Sequence, residues 1–139
     1  MAAAYGEGDA SFRAAGGEAG LLALVTRFYE LMDCREVARD IRAMHPTDLT
    51  VSRDKLARFL CGWLGGPKRY QERYGSISIP GVHAHLAVDG AARDAWLTIM
   101  AEAIDEQPWA DDFKAYLLRA LSVPAERVRV VCEARRTAS

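Results

Sequence analysis

The sequence predicts an all-α domain, and three observations carry that expectation. Apolar residues recur at three- and four-residue intervals in four separate stretches. Proline and glycine breaks separate those stretches. Runs of β-branched residues are short, and serine and threonine are scarce. With 139 residues, half of them hydrophobic, the chain forms one domain long enough to enclose a core.

Residues 1–14, rich in alanine and glycine, are expected to fray ahead of a domain spanning 15–124. From Glu18 onward Leu21, Leu24, Val25, Phe28, Leu31 and Met32 form the apolar face of a first long helix. A short second pattern carries Val37, Ile41 and Met44, and His45-Pro46 stops it, because the residue before a proline disfavours the helical conformation. Asp48 or Thr50 caps the next helix, which buries Leu56, Phe59, Leu60 and Trp63 and leaves Arg53, Lys55 and Arg58 polar. Gly65-Gly66-Pro67 ends it. From Lys68 to Val88 only one possible turn, at Tyr70–Tyr74, breaks a weakly patterned segment of the kind that usually serves a function. Helical order returns from about Ala91 to Ile104, with Ala95, Trp96, Ile99, Met100 and Ala103 on one face. After Pro108 a further helix presents Phe113, Tyr116, Leu117, Ala120 and Leu121, and Pro124 ends or kinks it. The tail, 125–139, reads equally as a short helix or a frayed end.

Composition excludes several functional classes. The net charge is −1 and the signs are mixed along the chain, so no basic face for nucleic acid is visible. The apolar runs fall far short of a membrane span. Residues 1–12 hold Glu7 and Asp9 and no hydrophobic segment, so no secretory signal is expected and the cytoplasm is the default. Cys34, Cys61 and Cys132 are widely spaced and form no Cys-x-x-Cys pair, which argues for reduced thiols and against a zinc ribbon. A Cys-x-x-Cys-His haem attachment is likewise missing.

His83 is the most informative residue, because of what stands around it. Trp96 follows thirteen residues later, inside Arg93-Asp94-Ala95-Trp96-Leu97. Leu56 and Phe59 precede it on the helix ended by Gly65-Gly66-Pro67, and Tyr29 lies upstream in Arg27-Phe28-Tyr29. One imidazole facing an apolar helix, with an indole N–H and a phenol opposite, is the set a haem iron needs to bind a diatomic gas. Each residue taken singly has a plainer account: a surface histidine, or ordinary aromatic core. His83-x-His85 also reads as half of a small zinc or copper site, which needs a third ligand. A haem-free helical interaction module is the remaining alternative.

The constellation resembles the group II truncated haemoglobins, from about Gly16 to Leu121. The resemblance implies a two-over-two helical sandwich around a non-covalent haem b, with a loosely structured loop before the proximal histidine. It implies His83 as that iron ligand, with His85 facing solvent or backing it. Tyr29, Trp96 and His45 are then the polar groups on the opposite, distal side. Leu56 lies over the distal face. Ser52 sits one turn earlier, too small to act as the histidine gate of larger globins. Phe59 and Leu60 pack on the porphyrin edge and Trp63 and Leu86 on its flanks, with Phe28, Ile79, Val82 and Val88 as further contacts. The family's usual basic stretch before the proximal histidine is replaced by Ser76-Ile77-Ser78-Ile79-Pro80-Gly81-Val82. Lys55 is the matched basic residue for a haem propionate, and Arg69 and Tyr70 are further candidates.

The resemblance further implies reversible O2 binding, with NO and CO as other ligands, at a five-coordinate ferrous iron. A donor hydrogen bond stabilises polarised O2 more than neutral CO, so Tyr29 and Trp96 imply high affinity and slow release. Removal of NO or peroxide is an open role, and it requires an external reductase, because no flavin or nicotinamide motif is present. The expectation is a gas-binding protein rather than an enzyme, as a monomer or homodimer.

Overall fold

The computed structural model describes residues 4–75 and 88–138. The described residues form helices and no strands. In chain order they are α1 (Ala10–Ala14), α2 (Gly17–Cys34), a 3-10 turn (Glu36–Ala38), α3 (Arg39–Ala43), α4 (Thr50–Trp63), α5 (Arg69–Tyr74), α6 (Gly90–Asp105) and α7 (Asp111–Ala138). Helix α2 packs on both α4 and α6, and α6 packs on α7. Two helix pairs, α2 with α4 and α6 with α7, therefore lie one over the other. The core runs between them, through Leu21, Leu24, Phe28, Leu60, Ile99, Met100, Phe113 and Leu117.

The apolar face of α2 is the one its spacing predicts: Leu21, Leu24, Val25, Phe28, Tyr29, Leu31 and Met32 are all buried. Gly20 lets α2 start tightly against α1. A Cβ there would stand 1.8 Å from the Ala15 carbonyl oxygen, so no larger residue fits without movement. Of the two capping candidates neither takes the N-cap of α4, which is Leu49; Asp48 precedes it and accepts the Thr50 N–H at 2.9 Å. At the far end Gly65 adopts φ +94°, and the Gly66 N–H donates to the Cys61 carbonyl at 2.8 Å. Gly66 lies flat against the Phe12 ring, and the Phe12 N–H donates to the Leu64 carbonyl at 3.1 Å. The glycine pair thus stops α4 and seats α1.

The structure corrects the sequence reading of the fold at several places. Residues 10–14, expected to fray, form α1, and Tyr5 ahead of them packs its ring 5.2 Å from Phe113 and donates its hydroxyl to Asp112 at 2.9 Å. Val37 lies in the 3-10 turn, 54% exposed, because that turn rotates it off the face shared by Ala38 and Ile41. Pro124, expected to end or kink its helix, does not end it: α7 continues through it to Ala138. The proline forfeits one backbone hydrogen bond, while burial of Val128 and Cys132 beyond it favours continuation. Arg93 reaches across from α6 to Glu126 at 3.1 Å, and Arg129 pairs with Glu126 and Glu133. The tail beyond 124 is accordingly the second half of α7.

The three cysteines are free thiols, with Cys61 and Cys132 buried and Cys34 exposed. Among the described residues no helix is long and apolar enough to cross a membrane.

Candidate functional site

Helices α2, α4 and α6 and the turn after α3 bring most of the described candidates to one place. Phe28 is the hub. Its ring is fully buried, 5.1 Å from Tyr29 and 5.2 Å from Trp96, edge-on to both. Tyr29 in turn meets His45 edge-on at 5.7 Å. The three polar candidates, separated by up to 67 residues in sequence, therefore join one aromatic chain: Trp96 and Tyr29 flank Phe28, and His45 meets Tyr29 on its other side.

The protonation of this cluster follows from its surroundings. His45 Nδ1 lies 2.7 Å from the Ile41 carbonyl oxygen. A carbonyl only accepts, so Nδ1 carries the hydrogen and Nε2 of the neutral ring is an acceptor. Burial pushes the Tyr29 phenol far above its ordinary range, and no charged neighbour contributes to that shift. Tyr29 is thus held as a neutral hydroxyl able to donate. Trp96 brings an indole N–H that can only donate.

Helix α4 supplies the wall. Ser52, Leu56, Phe59 and Trp63 recur at helical spacing, with Leu56 and Phe59 partly buried against the core. Trp63, expected to be buried, is 36% exposed and stacks on Phe59 at 6.0 Å. It occupies the last turn of α4, where the Gly65 reversal carries the chain away and leaves one ring face uncovered. Val88, Met44 and Leu49 are also partly buried against the core, whereas Phe28 and Leu60 are wholly enclosed. Leu56, Phe59, Trp96 and Val88, each packed on the core yet only partly covered, offer the apolar area that a flat macrocycle would fill.

The polar edge of this wall is built by α4 and α5. Tyr74 donates its hydroxyl to Asp54 at 2.5 Å, and Arg58 bonds the same carboxylate at 2.9 Å. Those bonds, the tyrosine's foremost, hold the Asp54 carboxyl below the usual carboxylate range. Lys55 lays its ammonium 5.3 Å above the Tyr74 ring, and Tyr70 packs 5.0 Å from that same ring. Lys55 has no carboxylate partner among the described residues. Sequence reasoning missed Tyr74; its four-residue spacing from Tyr70 on a helical turn was the available signal. Arg69 is committed elsewhere, bonded to Glu18 at 2.8 Å and to Glu72 at 3.1 Å.

His83, His85, Ile79, Val82 and Leu86 lie outside the described residues.

A family profile for bacterial-like globins matches residues 10–125. A group 2 truncated haemoglobin of Bacillus subtilis, YjbI, is 30% identical over 112 residues, which is 81% of this chain and 83% of that protein. The group II 2-on-2 haemoglobin of the plant pathogen Agrobacterium tumefaciens is 34% identical with a TM-score of 0.82, covering 86% of this chain and 92% of its own. The truncated oxygen-avid haemoglobin of Bacillus subtilis superposes with a TM-score of 0.76 at 30% identity, over 85% of this chain and 97% of its own. The stacked helix pairs, the Phe28-centred cluster and these likenesses agree: the chain belongs to the bacterial-like globins, as a group II truncated haemoglobin, a family whose haem iron binds small gas molecules.

Proposed function

We propose that this chain holds a non-covalent haem b through His83 and binds O2 reversibly at the ferrous iron, with high affinity and slow release. The observation that carries the reading is the linked cluster in which Trp96 and buried Tyr29 flank Phe28 and His45 packs on Tyr29. When bound, the haem supplies an iron with an open coordination position for a diatomic gas. The chain's own residues do the rest. His83 tethers the iron, and Leu56, Phe59 and Val88 cover the macrocycle's apolar area. Lys55, resting on Tyr74, answers a haem carboxylate in place of the basic residue that Val82 replaces.

Tyr29 and Trp96 donate hydrogen bonds to the gas, and the apolar wall keeps water from competing for those donors. His45 fixes the phenol's surroundings through its bond to Ile41. Ser52, partly buried one turn before Leu56, leaves the polar contacts to the tyrosine and the tryptophan. A pocket that retains oxygen in this way matches the description of the oxygen-avid Bacillus subtilis relative. NO and CO enter the same pocket. Turnover of NO or peroxide there is a side activity that needs an external reductase, since the chain carries no flavin or nicotinamide motif.

Absorption spectra of the purified protein in ferric, ferrous and CO-bound forms test the assignment. His83→Gly is expected to abolish specific haem retention and His85→Gly to preserve it. Haem retention lost with His85 and kept without His83 overturns the ligand assignment. A colourless protein that takes up no added hemin overturns the whole reading.

A further inference from the structure

The face of α6 opposite Trp96 forms, with α7, a groove of about 620 Å³ that the gas site does not use. Asp94, Leu97, Thr98 and Ala101 line one wall, and Ala115, Leu118, Arg119 and Ser122 the other. The helices run antiparallel here. Arg93 reaches Glu126 at 3.1 Å near one end, and Lys114 donates to the Asp105 carbonyl at 2.7 Å near the other. That register places Asp94 and Arg119 on opposite walls and about 9 Å apart along the helix axes, at 1.5 Å per residue. They stand at diagonal corners of the groove.

We propose that this groove is the interface of a symmetric dimer of this chain, with Asp94 of each copy paired to the partner's Arg119. A two-fold axis through the groove's centre carries one diagonal corner onto the other, so a single charge arrangement satisfies both pairs. Both charges are available for it. Arg119 is exposed and makes no ion pair among the described residues. The Asp94 side chain is 66% exposed and, among the described residues, pairs with its chain neighbour Arg93 at 2.9 Å, leaving it open to a partner's arginine.

The groove between the charges suits a second pair of helices. Ala101 and Ala115 are small enough to let backbones approach, and Leu97 and Leu118 remain only partly buried. Val123 extends the apolar area one turn past Arg119 and is 54% exposed. Of the other exposed large apolar residues, Leu22, Val37 and Val51 stand singly on different elements, Trp63 stacks on Phe59, and Val130 lies further along α7.

Sedimentation velocity on the full haem-loaded chain tests this, up to about 100 µM protein, a concentration at which weak transient interfaces assemble. The expected particle has twice the 15.3 kDa chain mass. D94R and R119D each place like charges across the axis and are expected to weaken the dimer at least about tenfold. Mixing the two variants in equal amounts, or combining both changes in one chain, sets opposite charges together again and restores the dimer. Circular dichroism and haem content confirm that each variant is folded. A monomer throughout the range, a dimer indifferent to both single variants, or single-variant losses that neither mixing nor combination rescues overturns the proposal. None of these outcomes bears on the gas site, which faces the other side of α6.

Discussion

Tyr29→Phe is the most discriminating perturbation of the distal site. It removes one oxygen from a side chain that is 6% exposed and leaves the ring contacts to Phe28 at 5.1 Å and His45 at 5.7 Å in place. The fold should therefore tolerate it, and the change isolates a single donor. A hydrogen bond to a partner carrying charge contributes about 1.5–3 kcal/mol. At about 1.36 kcal/mol per decade, its loss before departure of the gas speeds O2 release about ten- to a hundredfold. CO, which gains less from a donor, should change far less. Stopped-flow displacement of O2 and of CO from the ferrous protein measures both. Since burial alone raises the Tyr29 pKa, the donor stays protonated through neutral and moderately alkaline pH, and the wild-type O2 off-rate should be flat there. The sign of the linkage is fixed: a raised pKa leaves stability intact below the unfolded phenol's 10.0 and erodes it as pH climbs beyond that value. An O2 off-rate unchanged by Tyr29→Phe, in protein with normal spectra, refutes the role given to the hydroxyl.

Two further outcomes test the frame around the site. Asp54→Asn should loosen α5 from α4 by less than about 1 kcal/mol, because the side chain is 36% exposed and solvent screens its ion pairs. The native carboxyl titrates below 3.8, so its contribution is present above that value and lost as pH falls through the lower folded one. Denaturation midpoints of wild type and variant should accordingly differ at neutral pH and converge in acid, and a gap that persists in acid contradicts the assignment. Gly20→Ala should destabilise the protein by at least about 1–3 kcal/mol, since its Cβ would stand 1.8 Å from a backbone oxygen that cannot swing aside; equilibrium urea unfolding reads the loss.

The long helices were legible because each must bury a face, and burial writes a three-to-four period into the chain. That held for α2, whose predicted face is buried throughout, and for α6, which runs Gly90–Asp105 against the expected Ala91–Ile104. The course of α7 past Pro124 was not legible. A proline removes one local hydrogen bond, whereas the support for continuing comes from Arg93 on another helix and from Val128 and Cys132 finding cover. Tyr5 and α1 were obscured for the same reason: their partners Phe113, Asp112 and Leu64 are remote in sequence. At the site, spacing singled out Tyr29, Trp96, Leu56 and Phe59, since their family positions fall on periodic helices. Tyr74 escaped, because its meaning depends on where α5 folds back over Lys55 and Asp54.

Two exposed ion pairs rivet the helices that carry the phenol and the indole. Arg27 of α2 meets Glu106 just beyond α6 at 2.8 Å, and Arg35 beyond the other end of α2 grips Glu102 at 2.5 Å. Neither pair involves Tyr29, Trp96 or His45, and each is weak enough for dissolved salt to screen. Ionic strength therefore acts on how firmly α2 and α6 are tied at their ends, while the buried Phe28 between Tyr29 and Trp96 is beyond its reach.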